Sequence, residues 1–260
     1  MIGIFDSGIG GLTVARAIEQ LLPEHSITYL GDIARTPYGS KSAETIEQYS
    51  IQNTEFLLSK GAKIIVIACN SASSVATETL RKKFDVPIFE VITPAVEKAV
   101  SSSVNGRIGI IGTRATIRTD IYQKLIIEAR PECKVFSKAC PLLVPLVEEG
   151  WINKRETKMI LKRYLYSFKN QQLDTMVLGC THYPLLKQLI QPRVGKKITL
   201  IDSSIEVANH IQSFLEQKPN LLTTSALHEV ERNYFVTDRT ETTDLVAAQI
   251  FKRPIQLQLA

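Results

Sequence analysis

The chain lacks any run approaching the roughly 18 consecutive apolar residues that a membrane helix requires, so no spanning segment is expected. None of its four cysteines, Cys69, Cys133, Cys140 and Cys180, forms a C-x-x-C pair. That removes the common redox motif, and a disulfide framework is not expected in a reduced cytosolic protein. The N-terminus opens directly on Ile2-Gly3-Ile4-Phe5, without a basic leader or a small-residue cleavage site. The expectation is a cytoplasmic protein with no signal peptide. There is no Gly-Lys-Ser/Thr for a P-loop, and Thr13 stands where a dinucleotide fingerprint needs its third Gly or Ala. A zinc site from Cys69, Cys180 and His182 would gather ligands from distant segments, and no second spacing matches a zinc pattern. No metal and no cofactor are therefore expected.

Charge excludes little. The net value of +5 is modest for 260 residues, with 44% hydrophobic and 22% charged residues, as in ordinary globular proteins. The densest basic stretch holds Lys154, Arg155, Lys158, Lys162 and Arg163, interleaved with Met159, Ile160, Leu161 and Leu165 at helical spacing. It reads as the solvated face of an amphipathic helix, with no nucleic-acid motif beside it.

Short apolar runs alternate with helix-like stretches along the whole chain. Strands are predicted at 2–5, 27–30, 63–68, 86–92, 107–112, 133–137, 174–179, 197–202 and 233–236. A helix is predicted over 42–60, closed by Gly61, and another from near Gly11 to before Pro23. This alternation predicts an α/β protein with mainly parallel sheets. Two segments recur in the same order roughly 110 residues on, which suggests a duplicated unit. Ile2-Gly3-Ile4-Phe5-Asp6-Ser7 is echoed by Ile108-Gly109-Ile110-Ile111-Gly112-Thr113, and Ile65-Val66-Ile67-Ala68-Cys69-Asn70-Ser71 by Met176-Val177-Leu178-Gly179-Cys180-Thr181-His182. The expectation is two similar α/β domains related by pseudo-symmetry, 1–92 plus 208–260 and 93–207, with the active site in the cleft between them.

In such sheets ligands bind at the carboxyl ends of strands. Four polar clusters fall there: Asp6-Ser7, Cys69-Asn70-Ser71, Thr113 with Thr116, and Cys180-Thr181-His182. Facing domains would set the two cysteine clusters on opposite walls. A thiol has a reference pKa of about 8.5 and a helix N-terminus lowers it, so a thiolate is accessible at neutral pH. A thiolate on one side of a carbon acid and a thiol on the other can invert a stereocentre. Cys133 and Cys140 read as buried small hydrophobes. The loop Asp6-Ser7-Gly8-Ile9-Gly10-Gly11 is expected to let backbone N–H groups approach a small anion such as a carboxylate. Pro37-Tyr38-Gly39 reads as an exposed turn, Glu148 as a carboxylate near a helix end at Gly150, and His182 as a proton relay or substrate contact.

Together these stretches resemble glutamate racemases of the aspartate/glutamate racemase superfamily, over essentially the whole chain. The matching segments are Asp6 to Gly11, Pro37-Tyr38-Gly39, Ala68 to Ser73, Gly112-Thr113 with Thr116, and Gly179-Cys180-Thr181-His182-Tyr183-Pro184. The resemblance implies cofactor-independent interconversion of L- and D-glutamate, supplying D-glutamate for peptidoglycan. It implies that Cys180 deprotonates L-glutamate and Cys69 D-glutamate, assisted by Asp6 and His182. Ser7, Tyr38, Gly39, Asn70, Ser71 and Thr181 would hold the substrate, with Pro37, Thr113, Thr116 and Glu148 in or beside the same site. It also implies a homodimer, with neither nucleic acid nor membrane as a partner. Ser71 departs from the Thr more often found there, keeping the hydroxyl and losing a methyl. The alternatives are an aspartate racemase or other superfamily member, and a non-catalytic binding protein for an acidic amino acid.

Overall fold

The computed structural model describes residues 1–222 and 229–260. The first unit runs β1 (Ile2–Asp6), α1 (Leu12–Leu21), β2 (Ile27–Gly31), α2 (Ala43–Ser59), β3 (Ile64–Ile67), α3 (Asn70–Lys83) and β4 (Ile88–Glu90). Helix α4 (Ile92–Ser102) leads into the second unit: β5 (Arg107–Gly112), α5 (Arg114–Arg118), α6 (Ile121–Ala129), β6 (Lys134–Ala139), α7 (Leu143–Glu148), α8 (Arg155–Leu165), β7 (Thr175–Gly179), α9 (Lys187–Val194) and β8 (Thr199–Asp202). The chain ends with α10 (Ser203–Gln217), β9 (Arg232–Val236), α11 (Glu241–Phe251) and β10 (Leu257–Leu259).

Two parallel sheets result. The first has the order β10-β9-β2-β1-β3-β4 and the second β6-β5-β7-β8. Each unit therefore repeats one winding, with its first strand between its second and third. The internal echo in the sequence is this shared topology, with β1 matching β5 and β3 matching β7. Strands β9 and β10 extend the first sheet beyond β2. The short β10 has no sequence expectation, because Leu257-Gln258-Leu259 is too brief to show a period.

Strands β1, β2, β3 and β7 are buried along their whole length, as unbroken apolar runs in helix-covered sheets should be. Alternate side chains serve different cores. Ile2, Ile4 and Val66 join Ile108, Ile110 and Val177 in one cluster shared by both units. Phe5, Ile65 and Ile67 face a core of their own, and Ile111, Met176 and Leu178 another. Helices α4 and α10 pack together within the shared layer and α10 packs on α1, so the two units meet over a continuous apolar interior. Helix α2 begins with Ser42 accepting the Thr45 N–H and ends before Gly61, whose φ of +88° is left-handed.

Candidate active site

The polar clusters fold to the carboxyl ends of β1, β3, β5 and β7. Cys69 is the N-cap of α3, just past β3, and Cys180 directly follows β7. Because β3 and β7 hold equivalent places in the two sheets, each unit contributes one thiol to the same narrow cleft. Ser7, Pro37, Tyr38, Gly39, Asn70 and Ser71 line it from the first unit, and Thr113, Thr181 and His182 from the second. Val144 on α7 also lines it, and nothing in the sequence marks that residue. Asp6, Thr116 and Glu148 stand behind this lining: Asp6 and Thr116 are buried, and Glu148 touches His182. Cys133 and Cys140 are buried outside the cleft.

The glycine loop corrects an expectation. The N–H groups of Gly8 and Gly11 donate to Asp6 Oδ2 at 3.1 and 3.0 Å, so they hold the chain's own carboxylate instead of an incoming one. Gly10 serves close approach. A Cβ there would lie 2.5 Å from His182 Nδ1 and 2.6 Å from Thr181 Oγ1. Other contacts also bridge the units. Thr181 Oγ1 donates to Asp6 Oδ1 at 3.3 Å, Thr13 Oγ1 to the Thr181 carbonyl at 3.2 Å, and Ser71 Oγ meets Thr113 Oγ1 at 2.9 Å.

The turn at Pro37-Tyr38-Gly39 is a second correction, since only Pro37 is exposed. Tyr38 is fully buried; its hydroxyl donates to Asp32 Oδ2 and accepts from Asn53 Nδ2 at 3.1 Å. Arg35 Nε pairs with the same carboxylate at 2.7 Å, and Thr237 Oγ1 donates to it at 3.2 Å. A buried carboxylate at the end of β2 needs such donors, and gathering them pulls the turn inward. The position of Asp32, two residues past the strand predicted at 27–30, was the available signal for this network.

These distances describe two matched strand ends that present one thiol each to a shared cleft. Residues 11–211 match the Asp/Glu/hydantoin racemase family. The chain belongs to that family. The glutamate racemase of Persephonella marina is 47% identical over 237 residues, covering 91% of this chain and 88% of its own. The crystal structure of a Bacillus anthracis glutamate racemase isoform superposes with a TM-score of 0.93 at 33% identity, covering 100% of this chain and 97% of that one. That of Francisella tularensis glutamate racemase in complex with D-glutamate gives 0.91 at 34%, covering 100% and 96%. Picrophilus torridus aspartate racemase, at 18% identity and a TM-score of 0.56, shares the fold alone.

Within this racemase-family cleft the two thiols have unlike surroundings. Cys69 is 5% exposed, and its Sγ donates to Ser7 Oγ at 3.5 Å. Burial pushes its pKa up to about 12; the Asp6 charge adds to this, while Ser7 and the Ala72 N–H of the first α3 turn pull the other way. The helix N-terminus thus acts in the expected direction on Cys69 but is outweighed by desolvation, a third correction. Cys180, also 5% exposed, has His182 Nδ1 at 3.8 Å from its sulfur. His182 Nε2 lies 3.1 Å from Glu148 Oε1. Burial opposes a charged ring, but the hydrogen bonds to Cys180 and Glu148 outweigh it and hold His182 well above its ordinary range. Burial also raises Asp6 to about 6, against the pull of His182 and the two glycine N–H groups. Among the described residues, no group of three His, Cys, Asp or Glu side chains is arranged to hold a metal ion. No helix among them is long and apolar enough to cross a membrane.

Proposed function

We propose that this chain interconverts L- and D-glutamate with Cys180 and Cys69 as its two proton-transfer groups and no cofactor. The observation that carries the proposal is the pairing of one thiol from each unit across a single cleft, with His182 and Glu148 behind only one of them. From L-glutamate, the Cys180 thiolate facing the His182 imidazolium takes the α-proton. The Cys69 S–H then delivers its proton to the opposite face of the carbanion, leaving a Cys69 thiolate and D-glutamate. The reverse direction exchanges the roles. Cys69 begins as a thiol in this site, which suits it to be the acid towards L-glutamate. The substrate's ammonium group supplies the positive charge that a Cys69 thiolate lacks here. Asp6 assists Cys69, and His182 assists Cys180.

Ser7, Gly39, Asn70, Ser71, Thr113 and Thr181 hold the substrate's carboxylates and amine. Pro37 and Tyr38 shape the wall, because the Tyr38 hydroxyl is engaged by Asp32 and Asn53. Thr116 acts through Thr113, 3.1 Å away, and Glu148 through His182. The proposal extends to supply of D-glutamate for peptidoglycan by a cytoplasmic homodimer, on the strength of the family resemblance.

The test is circular dichroism of L-glutamate, and separately L-aspartate, incubated with the purified chain without added cofactor. Loss of optical activity with glutamate alone is expected, and loss with aspartate alone would move the substrate assignment. Cys69→Ala and Cys180→Ala should each stop racemisation in both directions while remaining folded, since each turnover needs one acid and one base. Full activity in either variant overturns the two-thiol mechanism.

A further inference from the structure

Racemisation makes no use of a groove at the amino ends of β7 and β8, the edge of the second sheet opposite the cleft. Its floor is apolar, formed by Leu165, Phe168, Leu173, Val194 and Ile198. Its rim carries Lys162, Lys169, Arg193, Lys196 and Lys197 and no carboxylate. The imbalance is regional, because Glu156 and Asp174 are the sole acidic residues between positions 151 and 197. Asp174 is already occupied by the Ser103 hydroxyl and the N–H groups of Val104 and Asn105. Among the described residues no rim cation belongs to an ion pair. Tyr166 stands at the edge 70% exposed, with Lys169 Nζ 6.0 Å from its ring centroid. Along α8 and at its C-cap, Arg155, Lys158, Lys162 and Tyr166 recur at three- and four-residue spacing, so the basic stripe runs on beyond the groove.

Clustered like charges repel one another and attract an anionic partner. A recessed apolar floor narrows the class of that partner. A nucleic-acid duplex would use the cations but leave the floor without a match. A flat bilayer is met by protruding apolar residues, not by a recess. The complement is a helix with apolar side chains along one face and carboxylates on its flanks. We propose that this groove is a docking site for an acidic amphipathic helix of a partner protein.

The probe is a fluorescein-labelled, hydrocarbon-stapled peptide with Leu at every third or fourth position and Glu elsewhere, titrated with the full chain and followed by anisotropy. Its comparators are a peptide of the same composition in scrambled order, phosphatidylglycerol vesicles and a single-stranded oligonucleotide. Binding of the patterned peptide is expected to exceed that of the scrambled one and to weaken as salt rises. The triple variant Lys162→Glu, Lys169→Glu, Lys197→Glu should weaken it by at least about tenfold while racemase activity and melting temperature stay at their starting values. The proposal is overturned by absent binding, by equal binding of the scrambled peptide, or by a variant that binds unchanged. Preference for vesicles or oligonucleotide would transfer the groove to that ligand. A change in sedimentation of the triple variant alone would assign it to a second copy of this chain.

Discussion

Replacing Gly10 with Ala tests whether the two units must close as tightly as they do here. The added Cβ would sit 2.5 Å from His182 Nδ1, 2.6 Å from its Cε1 and 2.6 Å from Thr181 Oγ1. Ordinary contact needs about 3.5 Å, so the neighbours must retreat by roughly an ångström. His182 is 2% exposed and held between Cys180 and Glu148, so its ring has little room to give. Overpacking of this kind costs about 1–3 kcal/mol, and at roughly 2–4 °C per kcal/mol the melting temperature should fall by about 2–12 °C. The catalytic loss should be larger in proportion, because a shift of about 1 Å in a positioned group can reduce turnover about a hundredfold. Thermal melts and steady-state kinetics in both directions read the two effects separately. Combining Gly10→Ala with His182→Ala should recover part of the stability and none of the activity, since the contact with His182 and the relay vanish together while the contact with Thr181 remains. A Gly10→Ala enzyme with unchanged melting temperature and more than half its activity would refute the reasoning, because turnover would then not need this contact.

Three further outcomes are expected. In deuterated water, label should enter the product enantiomer first and the remaining starting enantiomer little, since the acid on the product face exchanges with solvent; equal early labelling would indicate one base serving both faces. Ser71→Ala should lower kcat/KM by about ten- to a hundredfold if the hydroxyl holds a substrate carboxylate, a bond worth about 1.5–3 kcal/mol, whereas Ser71→Thr should change it far less. A lower melting temperature with normal kcat/KM would leave Ser71 only its bridge to Thr113. Because Asp6 is raised to about 6, a step that needs its carboxylate should speed up as pH rises through that value, and this limb should be missing in Asp6→Asn. Stability runs the other way: the folded chain holds this proton more tightly, so the favourable contribution is full below the ordinary 3.8 and is lost as pH climbs through about 6. An acid limb that survives in Asp6→Asn places the titration on another group.

Local pattern was enough for the elements and for the place of the chemistry. Apolar runs ending in Asp6, Ala68, Gly112 and Gly179 are strands buried on both faces, and that burial makes them legible without partners. Their polar successors stand at strand ends whatever the neighbouring chain does, which is why Cys69, Thr113 and Cys180 could be picked out. The repeated motifs likewise carried the matching order of the two sheets.

What could not be read were properties set by contact between distant segments. Tyr38 looks like a turn residue until Asp32, Asn53 and Thr237 meet its loop, and Val144 has no mark of a site until α7 swings beside His182. The glycine loop reads as an anion cradle, yet its N–H groups turn to Asp6, and Gly10 is required by a histidine 172 residues away in sequence. A reference pKa and a helix dipole point Cys69 towards thiolate, but the closed cleft reverses the balance. The sequence alone determined which side chains stand at the strand ends, because strand and helix signals are local. The tertiary structure decided their protonation, their partners and how closely they approach, because desolvation and excluded volume depend on everything packed around a group.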